Sequence, residues 1–302
     1  MSFLNNFIVS ALPYIPKAIV GKVSARYIAG TTLEEALSTV RRLNGRGMMA
    51  TLDLLGEDVT ERETAQQMKE QCVRMFEEIK NGELDSNVSI KLSQLGLKID
   101  KELCYKNVRT IVEAAKANGN FVRIDMEDST TTTDTLNLFR KLREEGFDNV
   151  GVVIQAYLRR SEVDVRSLVK EKANIRLCKG IYIEPPEIAF QDRDEVRRNF
   201  VFLLRVMLEG GSYVGIATHD EYLIEKSYEL IQRLNLKREH YEFQMLLGVR
   251  EGLRDSIVQA GHRLRVYVPY GDQWYAYSVR RLKENPEIAG YVLRAFFRGN
   301  HR

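Results

Sequence analysis

The chain is poor in the residues from which disulfide frameworks and metal centres are built: three cysteines and four histidines in 302 residues. Cys72, Cys104 and Cys178 are odd in number, far apart and set among apolar neighbours, which fits free buried thiols in a reducing compartment and argues against a disulfide scaffold. His219, His240, His262 and His301 show no HExxH or similar ligand spacing, so no metal is expected. Charge of one sign is lacking too. The balance of 45 Lys and Arg against 42 Asp and Glu leaves +3 with no basic tract or interleaved aromatic run, so nucleic acid is not an expected partner. There is no GxxxxGK[ST] phosphate loop, and Gly45-Arg-Gly-Met-Met-Ala50 has the spelling of a dinucleotide fingerprint but precedes a strand instead of following one.

Long hydrophobic runs are also missing. The first twenty residues are rich in Phe, Ile, Val and Ala, but the first basic residue is Lys17, and Pro13 and Pro16 break the run. That excludes a secretory leader and a membrane span as expectations. The segment reads as a helical extension packed on the main fold, with contact to a membrane surface as the alternative.

What the chain does contain is a repeated pattern. Eight short β-branched runs recur: Met48 to Leu55, Asn87 to Ser93, Phe121 to Glu127, Asn149 to Tyr157, Ile175 to Tyr182, Tyr213 to Thr218, Tyr241 to Leu247 and Leu264 to Tyr270. Helix-length amphipathic segments separate them, near 101–118, 132–146, 161–173, 187–209, 221–235, 249–260 and 272–284. This alternation predicts the α/β class and a (βα)8 TIM-type barrel spanning residues 46–302, preceded by an N-terminal helical arm over 1–45. Capping boxes at Thr32-Leu-Glu-Glu35 and Thr60-Glu-Arg-Glu63 predict helix starts there. Parallel barrel strands, buried on both faces, are expected to be near-continuously apolar up to a polar rim.

That rim carries Asp53, Lys91, Asp125, Gln155, Lys179, Thr218, Gln244 and Tyr267 at the strand ends. Lys91 and Lys179 each need a partner; either would serve as a Schiff-base lysine, as an anchor for an anionic ligand, or only as half of a structural ion pair. Asp125 and Glu127 are expected on one side of their strand, within reach of Lys91. Pro185 and Pro186 either stiffen a rim loop that walls a pocket or merely start the next helix. On the last helix Tyr277, Arg280, Arg281 and Glu284 form one polar stripe, where paired guanidinium groups suit a carboxylate. A solvated face with an Arg280–Glu284 pair is the plainer reading.

The segments Ser89-Ile-Lys-Leu-Ser93, Val122-Arg-Ile-Asp-Met-Glu127, Gln155-Ala-Tyr-Leu-Arg-Arg160, Ile175-Arg-Leu-Cys-Lys-Gly-Ile-Tyr182, Ala217-Thr-His-Asp220, Glu242-Phe-Gln-Met-Leu246, Tyr267-Val-Pro-Tyr-Gly271 and Tyr277-Ser-Val-Arg-Arg-Leu-Lys-Glu284 resemble the proline dehydrogenase family, in its order, over residues 48–297. No aldehyde dehydrogenase module follows, so the monofunctional bacterial form is expected. The resemblance implies a FAD-dependent oxidoreductase that converts L-proline to Δ1-pyrroline-5-carboxylate, the first step of proline catabolism to glutamate. It implies hydride transfer from proline C5 to flavin N5 and onward electron transfer to a quinone. A cytoplasmic enzyme is expected, with peripheral association at the inner face of the cell membrane as a further expectation.

By position, the resemblance implies a strand-end active-site acid at Asp125 and an arginine beside flavin N5 at Arg176. It implies proline contacts from Lys91, Tyr182, Leu246, Tyr267, Arg280 and Arg281, and FAD contacts from Met126, Gln155, Arg176, Lys179, Gly180, Ile181, Thr218 and His219. Glu284 matches a motif position without a defined role. Tyr267 stands where relatives preferring hydroxyproline have a smaller residue, which favours proline. The alternatives are a flavin-free barrel lyase using Lys91 or Lys179 as a Schiff base, and a non-catalytic barrel that only binds a partner or a small acid.

Overall fold

The computed structural model describes residues 21, 25–56, 58–275 and 277–278. Eight parallel strands close into a barrel in sequence order: β1 (Met49–Leu54), β2 (Ser86–Ile90), β3 (Val122–Ile124), β4 (Val150–Gln155), β5 (Ile175–Cys178), β6 (Val214–Ala217), β7 (Tyr241–Leu246) and β8 (Leu264–Tyr270). Closure is made by β8 on β1, with Thr51 opposite Tyr267 and Asp53 opposite Pro269. Ahead of the barrel lies α1 (Leu33–Asn44), and α2 (Arg62–Asn81), α3 (Lys101–Ala117), α4 (Thr132–Glu144), α5 (Ser161–Lys170), α6 (Arg193–Glu209), α7 (Glu221–Arg233) and α8 (Glu251–Gln259) follow β1 to β7 in turn. The α/β class and the barrel are as expected, while most strands stop short of their predicted C-terminal ends because the last residues bend into the rim.

The expectation of continuously apolar strands is overturned. Alternate residues such as Leu52, Val88, Ile90, Val122, Ile124, Ile175, Leu177, Ile216, Phe243 and Val266 enter the core shared with the helices. The residues between them, Thr51, Asp53, Arg123, Arg176, Glu242, Gln244 and Arg265, are polar and buried. They bond across the barrel, between strands that are not neighbours: Arg176 of β5 with Ser89 of β2 and Gln244 of β7. The interior is therefore a paired polar layer. Each buried charge is tolerated because it meets an opposite charge or a hydrogen-bond partner.

Helix starts divide in the same way. Glu35 N–H donates to Thr32 Oγ1 at 3.3 Å and Thr32 N–H to Glu35 Oε2 at 3.0 Å, so the first capping box forms and α1 packs Ala36, Leu37, Val40 and Leu43 into the core. The second box does not form. Ala65 N–H bonds to Glu61 O, which makes Glu61 the N-cap one residue late for Thr60 and Glu63 to reciprocate. Similarly, α6 begins at Arg193, not at 187, capped by the Asp192 carboxylate on the N–H groups of Asp194 and Glu195. Pro185 and Pro186 thus lie in a rim loop, where Pro185 O accepts from Ile188 and Ala189 and Ala189 bridges to Leu158. The predicted helix over 272–284 falls largely outside the described residues.

Among the described residues no helix is long and apolar enough to cross a membrane. Cys72 and Cys104 are buried free thiols, pushed up to about 12 mainly by burial. Cys178 departs from expectation: it is only partly buried and lines the pocket described next.

Candidate active site

The C-terminal ends of the strands open into a cavity of about 890 Å³. Catalytic barrels place their chemistry at this end because each strand delivers one side chain to a common point while the loops vary. Of the predicted residues, Lys91, Asp125, Met126, Gln155, Arg176, Lys179, Gly180, Ile181, Tyr182, Thr218, His219, Leu246 and Tyr267 all line this one cavity. Arg280, Arg281 and Glu284 lie outside the described residues, although Tyr277 of the same stripe lines the cavity.

One side is a tight charged knot from β1, β2, β3, β5 and β8. Lys91 Nζ lies 2.6 Å from Asp53 Oδ1, 3.6 Å from Asp125 Oδ2 and 3.3 Å from the Tyr267 hydroxyl. Tyr267 OH donates to Asp125 Oδ2 at 2.8 Å, and Arg176 Nη1 donates to Asp125 Oδ1 at 2.7 Å and to Ser89 Oγ at 3.2 Å. Asp125 is thus an acceptor saturated by guanidinium, phenol and Ser89 hydroxyl, the last at 3.1 Å. Asp53 is 1% exposed, and burial pushes its carboxyl up despite the attraction of Lys91. The Tyr267 phenol is pushed well up, by burial first and then by the Asp125 and Asp53 carboxylates, which keeps it a donor.

Glu127 corrects an expectation. Because β3 ends at Ile124, strand alternation does not carry through Asp125 and Glu127; Asp125 lines the cavity while the Glu127 carboxylate accepts from Ser93 N–H at 2.9 Å.

The opposite side, from β4 to β7, is built on backbone and a cationic mouth. Gln155 Nε2 donates to the carbonyls of Met126 and Glu127, and its buried Oε1 has no partner among the described residues. Gly180 holds φ at +109°, where a Cβ would meet the Tyr157 ring at 2.1 Å, so only glycine lets this wall turn past the aromatic. His219 Nε2 accepts from Leu246 N–H at 2.9 Å, which fixes its ring between β6 and β7. At the mouth, Asp220 collects Arg197 (3.0 and 2.9 Å), Lys179 (3.3 Å) and Arg193 (3.8 Å). Arg197 also bonds Asp194 at 3.2 Å, so three cations meet two carboxylates in this cluster and leave it one positive charge in excess.

Burial alone would raise the Asp220 carboxyl, but the Arg197 hydrogen bonds and Lys179 hold it down at about 2. A carboxyl depressed below its unfolded value of roughly 4 stabilises the fold above pH 4 and loses that contribution as pH falls through 2. Asp220→Asn should therefore lower stability at pH 7 by about 1 kcal/mol after solvent screening. The gap should narrow toward pH 3; melting curves at several pH values that ran parallel for the two proteins would count against the ion cluster.

Reading strand ends singled out Asp53 and Gln244 without a role and passed over Arg193, Arg197 and Ser89. The Arg193–Arg197 spacing of four at a helix start was a usable signal, hidden by placing that helix six residues early.

The proline dehydrogenase family profile matches residues 36–294. The chain is 38% identical over 273 residues to proline dehydrogenase 1 of Bacillus subtilis (strain 168), covering 90% of each chain. It is 37% identical over 281 residues to the proline dehydrogenase of Deinococcus radiodurans, covering 92% of this chain and 91% of that one. Among solved structures it resembles proline utilization A from Bdellovibrio bacteriovorus, inactivated by N-propargylglycine, with a TM-score of 0.83 and 27% identity. The match covers 87% of this chain but 32% of that longer protein. The closed barrel, the rim it builds and matches running nearly the full length of relatives of similar size have one reading: this chain belongs to the proline dehydrogenase family of enzymes.

Proposed function

We propose that the enzyme oxidises L-proline to Δ1-pyrroline-5-carboxylate with FAD as its resident cofactor, and passes the electrons to a quinone. The observation that carries this reading is the division of the cavity into two unlike ends, a charge-paired knot around Lys91 and a mouth where cations outnumber the carboxylates they bond. In a closed eight-strand barrel β2 and β6 lie on opposite sides, so the Lys91 knot and the Lys179–Arg193–Arg197 lip face each other across the pocket. A flavin dinucleotide fits the second end: the excess positive charge of the lip suits a diphosphate, and the orphaned Gln155 Oε1 suits a ring N–H.

When bound, the flavin supplies a two-electron acceptor for the hydride that leaves the substrate ring. The chain's own residues do the rest. Lys91 anchors the substrate carboxylate, and the residue positions Arg280 and Arg281, outside the described residues, are proposed to share that task. Tyr182, Leu246 and Tyr267 wall the methylene groups and exclude water. Asp125, its oxygens occupied by Arg176, Ser89 and Tyr267, positions these groups and is not the proton acceptor. Met126, Lys179, Gly180, Ile181, Thr218 and His219 are the remaining proposed FAD contacts, and Arg176 is placed to stabilise charge on the reduced ring. Residues 46–302 form the proposed catalytic unit and 1–45 its helical arm. The quinone acceptor and peripheral contact of that arm with the inner face of the cytoplasmic membrane belong to the same proposal.

The purified protein is expected to be yellow, and its flavin absorbance is expected to bleach on anaerobic addition of L-proline. A colourless protein trapped by borohydride with a carbonyl compound would establish the Schiff-base alternative instead.

A further inference from the structure

Arg176 reaches the pocket from a buried root, 7% exposed, and something must fix its orientation. Its Nη1 is committed to Asp125 and Ser89, and its Nε donates to Gln244 Oε1. Among the described residues Nη2 has no hydrogen-bond partner, which leaves it for a group in the cavity. The Gln244 amide can serve Nε only with its oxygen toward Arg176, yet an isolated amide is free to turn over. Here it is not. Gln244 Nε2 donates to Glu242 Oε1 at 2.6 Å, and a carboxylate accepts but cannot donate.

Glu242 is locked in turn by Arg265, at 2.7 Å through Nε and 3.2 Å through Nη2, and by the Tyr213 hydroxyl at 2.7 Å. Burial would raise the Glu242 carboxyl, but Arg265 and these donors hold it at about 2, so it is anionic. Space for the amide comes from β6: a Cβ at Gly215, which pairs with Glu242, would lie 2.4 Å from Gln244 Nε2.

We infer that Gln244 is a positioning residue for Arg176, its amide polarised and held in one orientation by Glu242, so that a three-residue relay through the barrel interior aims the guanidinium at the cofactor. The relay rests on the proposed flavin reading only for its last link; the amide lock is made entirely by the protein's own side chains.

Two substitutions test it. Gln244→Met keeps the length of the side chain but removes both polar atoms while leaving Glu242 with Arg265 and Tyr213. Flavin content and KM for proline should stay within twofold. The rate of flavin reduction should fall roughly tenfold, less than the 10²–10³ for a directly acting donor, and the flavin potential should shift to favour the oxidised form.

Gln244→Glu is the sharper variant, because a protonated carboxyl has the shape and polarity of the amide. Facing it are Glu242 on β7, Arg265 on β8, Arg176 on β5, Arg123 on β3, Asp125 just after β3, and Tyr213 just before β6. Two carboxyls at this distance share one proton, so the variant should reduce at near the wild-type rate at low pH and slow as that proton is lost. An infrared carboxylic-acid band titrating with the same midpoint in the cofactor-stripped protein should accompany it.

Wild-type rate and potential in Gln244→Met would overturn the inference. So would loss of flavin and melting temperature in that variant together with a pH-independent Gln244→Glu. A protein that never carries flavin defeats the functional reading, whereas a yellow protein with indifferent variants defeats only the relay.

Discussion

Arg176→Met should slow the reduction of bound flavin by proline by roughly 10²–10³-fold, the loss seen when a preorganised donor to developing charge is removed. The size follows from where Arg176 stands. It is buried and already oriented by Asp125, Ser89 and Gln244, so no reorganisation is left for the moment of reaction. Stability should suffer far less. Methionine removes a buried charge that lies close enough to Arg123 to help burial push that guanidinium down to about 9, and Asp125 keeps Lys91, Tyr267 and Ser89 as partners. Arg176→Lys should recover only part of the rate, because an ammonium cannot reach Gln244 and Asp125 at once and still present a third donor. Anaerobic stopped-flow reduction with flavin content measured in parallel separates these outcomes; equal rates for Lys and Arg would remove the argument from geometry.

The barrel was legible because eight β-branched runs alternate with helix-length segments along the chain; Lys91, Asp125, Gln155, Lys179, Thr218 and Tyr267 were legible as polar residues near the ends of those runs, whereas Met126, Arg176, Gly180, Ile181, Tyr182, His219 and Leu246 were legible only through the family resemblance. The interior was not. In Ile175-Arg-Leu-Cys178 and Tyr241-Glu-Phe-Gln244 the polar residues alternate with large apolar ones, the period of a strand with two different faces, yet the apolar members dominate the reading. Nothing in the chain tells Arg176 that its partners stand on β2, β3 and β7; that is fixed by barrel closure and register. The cationic lip was lost for a local reason. Pro185 and Pro186 look like a helix start, and shifting α6 to its true start at Arg193 is what brings Arg193 and Arg197 to Asp220. The register of the Thr60 box failed by one residue, a difference that only the hydrogen bond from Ala65 to Glu61 decides.

Lys91→Met should produce two separable losses. Asp53 is essentially inaccessible, its Oδ1 bonded to Lys91 and its Oδ2 without a partner among the described residues. Removing the cation strands a buried carboxylate, which typically costs about 3–5 kcal/mol. The carboxyl, already raised by burial, must rise further, and the sign of the pH dependence follows. An acid whose folded pKa lies above its unfolded value of roughly 4 carries no penalty below pH 4, where both states hold the proton. The penalty grows as pH rises and levels off above the folded pKa. The variant should therefore approach wild-type stability at acid pH and fall behind it at neutral pH. Asp53→Asn combined with Lys91→Met removes the stranded charge and should restore most of the stability. It should not restore affinity: losing a charge-assisted bond to the substrate carboxylate, about 1.5–3 kcal/mol, should leave KM for proline raised by roughly 10–100-fold in both variants. Chemical denaturation at several pH values and steady-state kinetics on the single and double variants give both readings. If the double variant also regains the wild-type KM, Lys91 serves only to neutralise Asp53 and the proline carboxylate must be held without it.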